Sequence, residues 1–337
     1  MTVQPGQTIA HGGGLAAAAR LYGGNIEDWL DLSTGINPCP PDLPAIDARA
    51  WHRLPDRERE DAARLAARDF YGSGTVLPLP VPGTQSVIQL LPKLMDAGRR
   101  AVILSPTYGE YARSLTLAGI AVDAVDSLEE ITSVHGLAVV VNPNNPTGRQ
   151  IGRSELGAVA QRMASHGGLL LVDEAFADVQ PEQSLAPLVA DHPNLLLFRS
   201  FGKFFGLAGL RLGFVIADQA LLDLFAEWLG PWAVSGPALS VATQLFSADH
   251  RGLRAQIFAR KAALEAVLAQ AGLAVIGGTP LFSLVEYTGA ANLHAHLARV
   301  HILTRIFEYA PGWLRIGLTP DEEADARLLA ALQAFQS

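Results

Sequence analysis

Seven short apolar runs recur along the chain, at residues 76–79, 101–104, 120–125, 137–141, 169–172, 195–198 and 212–216. Most are continuous rather than alternating, which suits strands covered on both faces. Helix-like patterns lie between several of them, at 84–95, 108–117 and 153–165. Strand–helix alternation of this kind predicts an α/β fold with a mostly parallel, doubly wound sheet. In such sheets ligands bind beyond the carboxyl ends of the strands. After residue 216 the pattern changes: helices at 221–229 and 251–271, short strands at 281–286 and 313–318, and a last helix from Pro320. The proline-rich stretch 37–44 sets the N-terminal segment apart. The expected division is a large domain at 46–249, with 1–45 and 250–337 forming an arm and a smaller α+β domain.

Composition narrows the class. Hydrophobic residues are 49% of the 337 and charged residues 17%, enough for a large core. A net charge of −8 without a basic run argues against nucleic acid as a partner. The single cysteine, Cys39, lies between two prolines and excludes a disulfide framework or a cysteine-built metal cluster; no metal is expected. The N-terminus lacks a charged start followed by an apolar core, and no apolar run reaches the ~20 residues of a membrane span. A soluble, cytoplasmic protein with no membrane partner is the expectation.

Only three lysines occur: Lys93, Lys203 and Lys261. Lys93 and Lys261 sit in helix-like surroundings where a solvated amine is expected. Lys203 lies in SFGKFFGLAGLRLGF, among glycines, aromatics and leucines. Such a lysine either snorkels, with its stem packed and its head wet, or is desolvated towards the neutral amine that Schiff-base chemistry needs.

The strand ends decide between these readings. VVVNPNNPTG puts Asn145-Pro146-Thr147-Gly148 after one apolar run, as a turn would. LLLVDEAF leaves Asp173 and Glu174 at the end of another, where a carboxylate either caps the next turn or needs a partner. LLLFRSFGK ends in Ser200 and Lys203. Upstream, VPGTQSVIQL sets Gly83, Thr84 and Gln85 between a strand and a helix start, where backbone N–H groups and a hydroxyl can hold a phosphate. Each element is weak alone; in this order they reinforce one another.

Together these residues resemble the fold-type I pyridoxal-phosphate enzymes of the aspartate aminotransferase superfamily, over nearly the whole chain. The resemblance rests most on Asn145–Gly148, Asp173, and Ser200-x-x-Lys203 followed by Arg211. It implies pyridoxal 5′-phosphate as cofactor, with Lys203 forming the imine to its aldehyde and Asp173 pairing with the pyridinium nitrogen. Asn145 would bond the ring hydroxyl oxygen and Tyr108 would stack on the ring. Gly83, Thr84, Gln85, Ser200 and Arg211 would hold the cofactor phosphate, and Arg315 in WLRIGL the substrate α-carboxylate. It also implies a homodimer with active sites at the interface.

Within that superfamily the pattern is similar to histidinol-phosphate aminotransferases and to threonine-phosphate decarboxylases of cobalamin biosynthesis. His11-Gly12-Gly13 and the segment Asp31–Pro38 look like the HGG and D-x-S-x-x-INP segments of the decarboxylases, which help form the pocket for a small phosphorylated amino acid. His11, Gly13 and Asn37 are the matching candidates; read alone, His11 is equally a solvated terminal residue and Asn37 a turn former. Two positions depart from the aminotransferase pattern. Phe176 stands where a tyrosine usually donates to the ring oxygen, and Leu54 where a tyrosine usually reaches the partner's cofactor phosphate. The expected reaction is decarboxylation of L-threonine O-3-phosphate to (R)-1-amino-2-propanol O-2-phosphate. The same-fold alternative is a histidinol-phosphate or aromatic aminotransferase. A non-catalytic sensor reusing the fold is disfavoured, since the chain has neither room nor charge for a DNA-binding extension.

Overall fold

The computed structural model describes Ile9 and residues 11–336. A helix at Leu15–Tyr22 leads into the two-residue strand β1 (Leu30–Asp31). The central sheet is built from β2 (Leu79–Val81), β3 (Arg100–Leu104), β4 (Val122–Val125), β5 (His135–Val141), β6 (Leu169–Asp173), β7 (Leu195–Ser200) and β8 (Gly213–Ile216). Its order is β2-β8-β7-β6-β5-β3-β4. Only β8 runs against its neighbours, β2 and β7; the other pairs are parallel.

The continuous apolar runs are explained by what covers them. Ala138, Val140, Leu170, Val172, Leu195 and Leu197 belong to one buried cluster. Their alternating neighbours Leu137, Val139, Val141, Leu171, Leu196 and Phe198 belong to a second, on the opposite face. Period-two geometry thus divides each run between two cores.

A four-stranded antiparallel sheet comes next, from β9 (Val275–Thr279), β10 (Phe282–Glu286), β12 (Arg305–Phe307) and β13 (Ala310–Gly317), in the order β12-β13-β10-β9. Between its halves, β11 (Ile302–Leu303) pairs in parallel with β1, tying the N-terminal segment to this region. The turn after β5 locks the two sheets together. A Cβ at Gly148 would lie 1.8 Å from Gly278 O, and one at Gly277 2.2 Å from Thr147 O. Only glycine permits that backbone-to-backbone approach, which Gly278 N seals with a 3.0 Å bond to Thr147 O.

Several elements differ from the sequence expectation. The strand expected at 76–79 begins only at Leu79, because Val76 N donates to Ser73 O and closes a turn. The helix expected over 84–95 stops at Ile88 and restarts as a short turn at Leu91–Leu94, where Pro92 lacks the N–H that an α-helix needs. A helix not anticipated, Arg57–Tyr71, is capped by Asp56 at its start and by left-handed Gly72 at its end. It packs on another, Gly236–Phe246. No helix among the described residues is long and apolar enough to cross a membrane.

Behind the strand ends sits a fully buried ion cluster. Arg199 on β7 pairs with both Glu174 and Asp178, and its guanidinium lies 4.5 Å from the centre of the Tyr71 ring. Ser184 Oγ and Leu185 N also donate to Glu174, at 2.6 and 2.7 Å. Glu174 therefore has its partner, and the cluster fixes the ends of β6 and β7. Removing the cation would strand two buried carboxylates. Arg199→Met should lower stability by about 3–5 kcal/mol in a urea titration; a loss below about 1 kcal/mol would mean that the carboxylates do not depend on the arginine.

Candidate active site

The ends of β5, β6 and β7 meet at one cavity of about 510 Å³. Asn145 reaches it from the turn after β5, Asp173 from the last position of β6, and Ser200 from the last of β7. Lys203 lies just beyond, on the one-turn helix Phe201–Phe204. Gly83, Thr84, Gln85, Tyr108 and Arg211 line the same cavity, as do His11 and Gly12 from the N-terminal segment and Arg315 from β13.

Asp173 is buried, and two donors hold it. Tyr111 Oη donates to Oδ2 at 2.7 Å and Ala175 N to Oδ1 at 3.0 Å. Burial pushes its carboxyl up to about 6, while Tyr111, Ala175 and the Lys203 ammonium pull the other way. Lys203 shows the opposite shift. Loss of water, then the nearby Arg315, bring its amine down to about 8, with Asp173 opposing. Lys203 Nζ donates to Thr34 O at 3.2 Å and stands 5.5 Å from the centre of the Phe176 ring. Phe176 is itself buried edge-on against Phe282. Burial and the cationic neighbours Arg315 and Arg211 thus shift this amine towards neutrality, against the carbonyl and the ring face, which favour its charged form.

The other lysines differ from this and, in one case, from expectation. Lys93 lies over the Trp228 ring at 5.2 Å. Lys261 is not solvated: it donates to Phe282 O at 2.9 Å and to Ser283 Oγ at 2.5 Å, and pairs with Glu265. Its place in a helix hid the strand β10 that the helix packs on.

Arg211 adopts a left-handed backbone, φ 52° and ψ 54°, uncommon for a non-glycine residue. A Cβ on Gly83 would sit 3.0 Å from Arg211 Nη2, so the glycine lets the guanidinium lie against the loop. Ser200 pairs with Gly213, whose own Cβ would meet Thr84 at 3.1 Å. Thr84, Ser200 and Arg211 are thereby brought to one end of the cavity. Tyr108 Oη donates to Gln85 Oε1 at 3.1 Å, and burial pushes this phenol up to about 12.

Arg315 is buried and only partly satisfied. Nη1 donates to Asn145 Oδ1 at 2.5 Å and Nη2 to Ser33 O, but the buried Nε has no partner. Burial, then the charge of Arg305, lower it to about 10. Arg305 is the cross-strand neighbour of Arg315.

Two expected site residues lie elsewhere. Asn37 is buried outside the cavity lining: its Nδ2 donates to Cys39 O and Phe204 O, and its Oδ1 accepts from Cys39 N. It shapes the loop beneath Lys203 and has no amide hydrogen left for a substrate phosphate. Gly13 also stays out of the lining; its N–H donates to Ser33 Oγ at 2.7 Å and pins the arm to the Asp31–Ser33 turn. Conversely, Tyr111, Glu110 and Arg305 were not singled out in the sequence. Tyr111 comes three positions after Tyr108 in SPTYGEY, one helical turn, which was the available signal. Arg305 has no local signal, since only strand register sets it beside Arg315. No group of metal-ligating side chains occurs among the described residues.

The family model for aminotransferase class I and II matches residues 27–332. The chain belongs to the aminotransferase class I and II family. It is 60% identical over 328 residues to a protein of Sinorhizobium sp named threonine-phosphate decarboxylase, covering 97% of this chain and 98% of that one. A Pseudomonas aeruginosa protein of the same name is 47% identical over 332 residues, covering 97% and 98%. The fold is shared with histidinol-phosphate aminotransferase from Sinorhizobium meliloti, solved in complex with pyridoxal-5′-phosphate: TM-score 0.77, 20% identity, covering 95% of this chain and 94% of that one.

The cofactor of this aminotransferase family is pyridoxal 5′-phosphate, and the cavity fits it. It offers an amine shifted towards neutrality, a buried carboxylate suited to a protonated ring nitrogen, and a glycine-edged cradle with an arginine for a phosphate. With Lys203 near 8, about a tenth of it is the nucleophilic free amine at pH 7. Capture of the cofactor aldehyde by cofactor-free protein should therefore accelerate with pH and level off above about 8, and Lys203→Ala should abolish it. A rate still climbing about tenfold per unit at pH 9.5 would mark a solvated amine instead.

Proposed function

We propose that this chain is a pyridoxal-phosphate-dependent lyase that decarboxylates L-threonine O-3-phosphate to (R)-1-amino-2-propanol O-2-phosphate, a step of cobalamin biosynthesis. The observation that carries this reading is the 60% identity, over nearly its whole length, to a protein named for that reaction. The cavity's chemistry supports it. A substrate with a carboxylate and a phosphate needs cationic contacts: Arg315 lines the cavity, and Arg305 is its cross-strand neighbour on β12.

When bound, the cofactor ring supplies an electron sink for the bond broken at the substrate's α-carbon. Lys203 anchors it, Asp173 keeps its ring nitrogen protonated, and Asn145 and Tyr108 bound the ring. Thr84, Ser200 and Arg211, with the Gly83–Gln85 loop, take its phosphate. Arg315 receives the substrate carboxylate through the unpartnered Nε and an adjacent Nη, a bidentate fork. Decarboxylation replaces the carboxyl group with a proton, and Lys203, whose amine lines the cavity, would deliver it. Phe176 puts a hydrocarbon face, not a hydroxyl, beneath that amine. His11 stands at the mouth, where a substrate phosphate enters.

A homodimer belongs to the same proposal. Leu43, Trp51, Leu54 and Trp232 are each more than half exposed, large apolar side chains that a second copy would cover.

Holoenzyme given L-threonine O-3-phosphate should release carbon dioxide. Given histidinol phosphate with 2-oxoglutarate, it should form no glutamate; the reverse pattern would make it an aminotransferase. Arg315→Lys should lower kcat/KM by at least about tenfold, since a point charge cannot replace the fork. Unchanged kinetics would remove Arg315 from the substrate.

A further inference from the structure

Two carboxylates line the cavity, and the roles above use only Asp173. The second, Glu110, begins the helix Glu110–Leu117 and is only 6% exposed. Its Oε2 accepts from Gln85 Nε2 at 3.0 Å and lies 4.0 Å from Arg113 Nη1, while Oε1 meets His11 Nε2 at 2.9 Å.

These contacts fix directions. A carboxylate accepts, so Gln85 must turn its NH₂ towards Glu110 and its carbonyl oxygen towards Tyr108. Tyr108 must then donate its hydroxyl hydrogen to Gln85, at 3.1 Å. Towards the cavity the Tyr108 oxygen has only lone pairs, and its neutral phenol has no other hydrogen to offer. The same carboxylate tethers His11, whose ring lies 5.8 Å from that of Tyr108. One side chain thus sets the polarity of a whole wall.

We propose that Glu110 is a positioning residue: through Gln85 it fixes Tyr108 as a hydrogen-bond donor to the protein, so that this wall presents an acceptor to the cofactor. It rests on the cofactor reading of the cavity and is independent of which substrate is turned over. An amide at 110 would donate as well as accept, letting Gln85 flip and Tyr108 turn its hydrogen into the cavity.

The test reads cofactor binding without substrate, by fluorescence titration of cofactor-free protein with pyridoxal 5′-phosphate and by visible circular dichroism of the bound form. Glu110→Gln should weaken binding about tenfold, as expected for a hydrogen bond to a charged group, and alter the circular dichroism. Glu110→Asp, which remains acceptor-only, should recover most of the affinity and the wild-type spectrum. In a Gln85→Ala background, Glu110→Gln should change affinity less than about twofold, because the relay is already gone. An equal loss in both backgrounds would show that Glu110 acts by another route, and no loss in the wild-type background would also overturn the proposal. If Glu110→Gln does not fold, Glu110→Ala compared in the two backgrounds decides: a loss confined to the wild-type background supports the relay, and equal losses refute it. Failure to release carbon dioxide from threonine phosphate would overturn the substrate reading alone, since binding and spectrum do not depend on it.

Discussion

Burial of both faces of the central sheet governs where polar chemistry can stand. Leu137–Val141 and Leu170–Val172 have essentially no exposed surface, so a charged side chain among them would be stranded. Polar groups are admitted only where the strands stop. Because β5, β6 and β7 are adjacent and parallel, their carboxyl ends fall side by side and deliver Asn145, Asp173 and Ser200 to one place. The Gly148 turn against β9 then brings the small sheet, and Arg315 with it, over the same spot.

The resulting site is electrostatically unfinished. Asp173 is raised to about 6, Lys203 lowered to about 8 and Arg315 lowered to about 10, each chiefly by loss of water. The sign of the linkage differs between the first two. A raised carboxyl loses stability as pH rises through its folded value, so the penalty at Asp173 is complete above about 6. A lowered amine loses stability as pH falls through its folded value, so the penalty at Lys203 is complete below about 8. Between these limits the pocket carries both. An occupant with a protonated ring nitrogen, an aldehyde and a phosphate offers partners to groups that the fold leaves short of them. Left-handed Arg211 and the unpartnered Arg315 Nε fit the same picture of structure held ready for a ligand.

What the sequence revealed depended on how local each signal was. Asp173 stands directly after an apolar run, and Asn145 and Lys203 follow theirs by four and five residues, so strand reading sets all three near strand ends. Arg199, Tyr111 and Glu110 are polar residues whose partners come from remote positions, and no local pattern announces a hydrogen bond across 62 residues such as Tyr111–Asp173. Asn37 shows the converse failure. Its motif was visible, but its amide is satisfied by Phe204 O, 167 residues away, which only the fold discloses. Lys261 is a similar case, since helix periodicity does not tell which strand lies beneath.

The account stands on Lys203 and Asp173 facing one cofactor across the strand ends. A crystal structure of the protein grown with pyridoxal 5′-phosphate tests this most directly. It should show density continuous from Lys203 Nζ, with the ring nitrogen in hydrogen-bond reach of Asp173 and the phosphate against Thr84 and Arg211. Cofactor attached to Lys93 or Lys261, or a ring nitrogen turned away from Asp173, would contradict it.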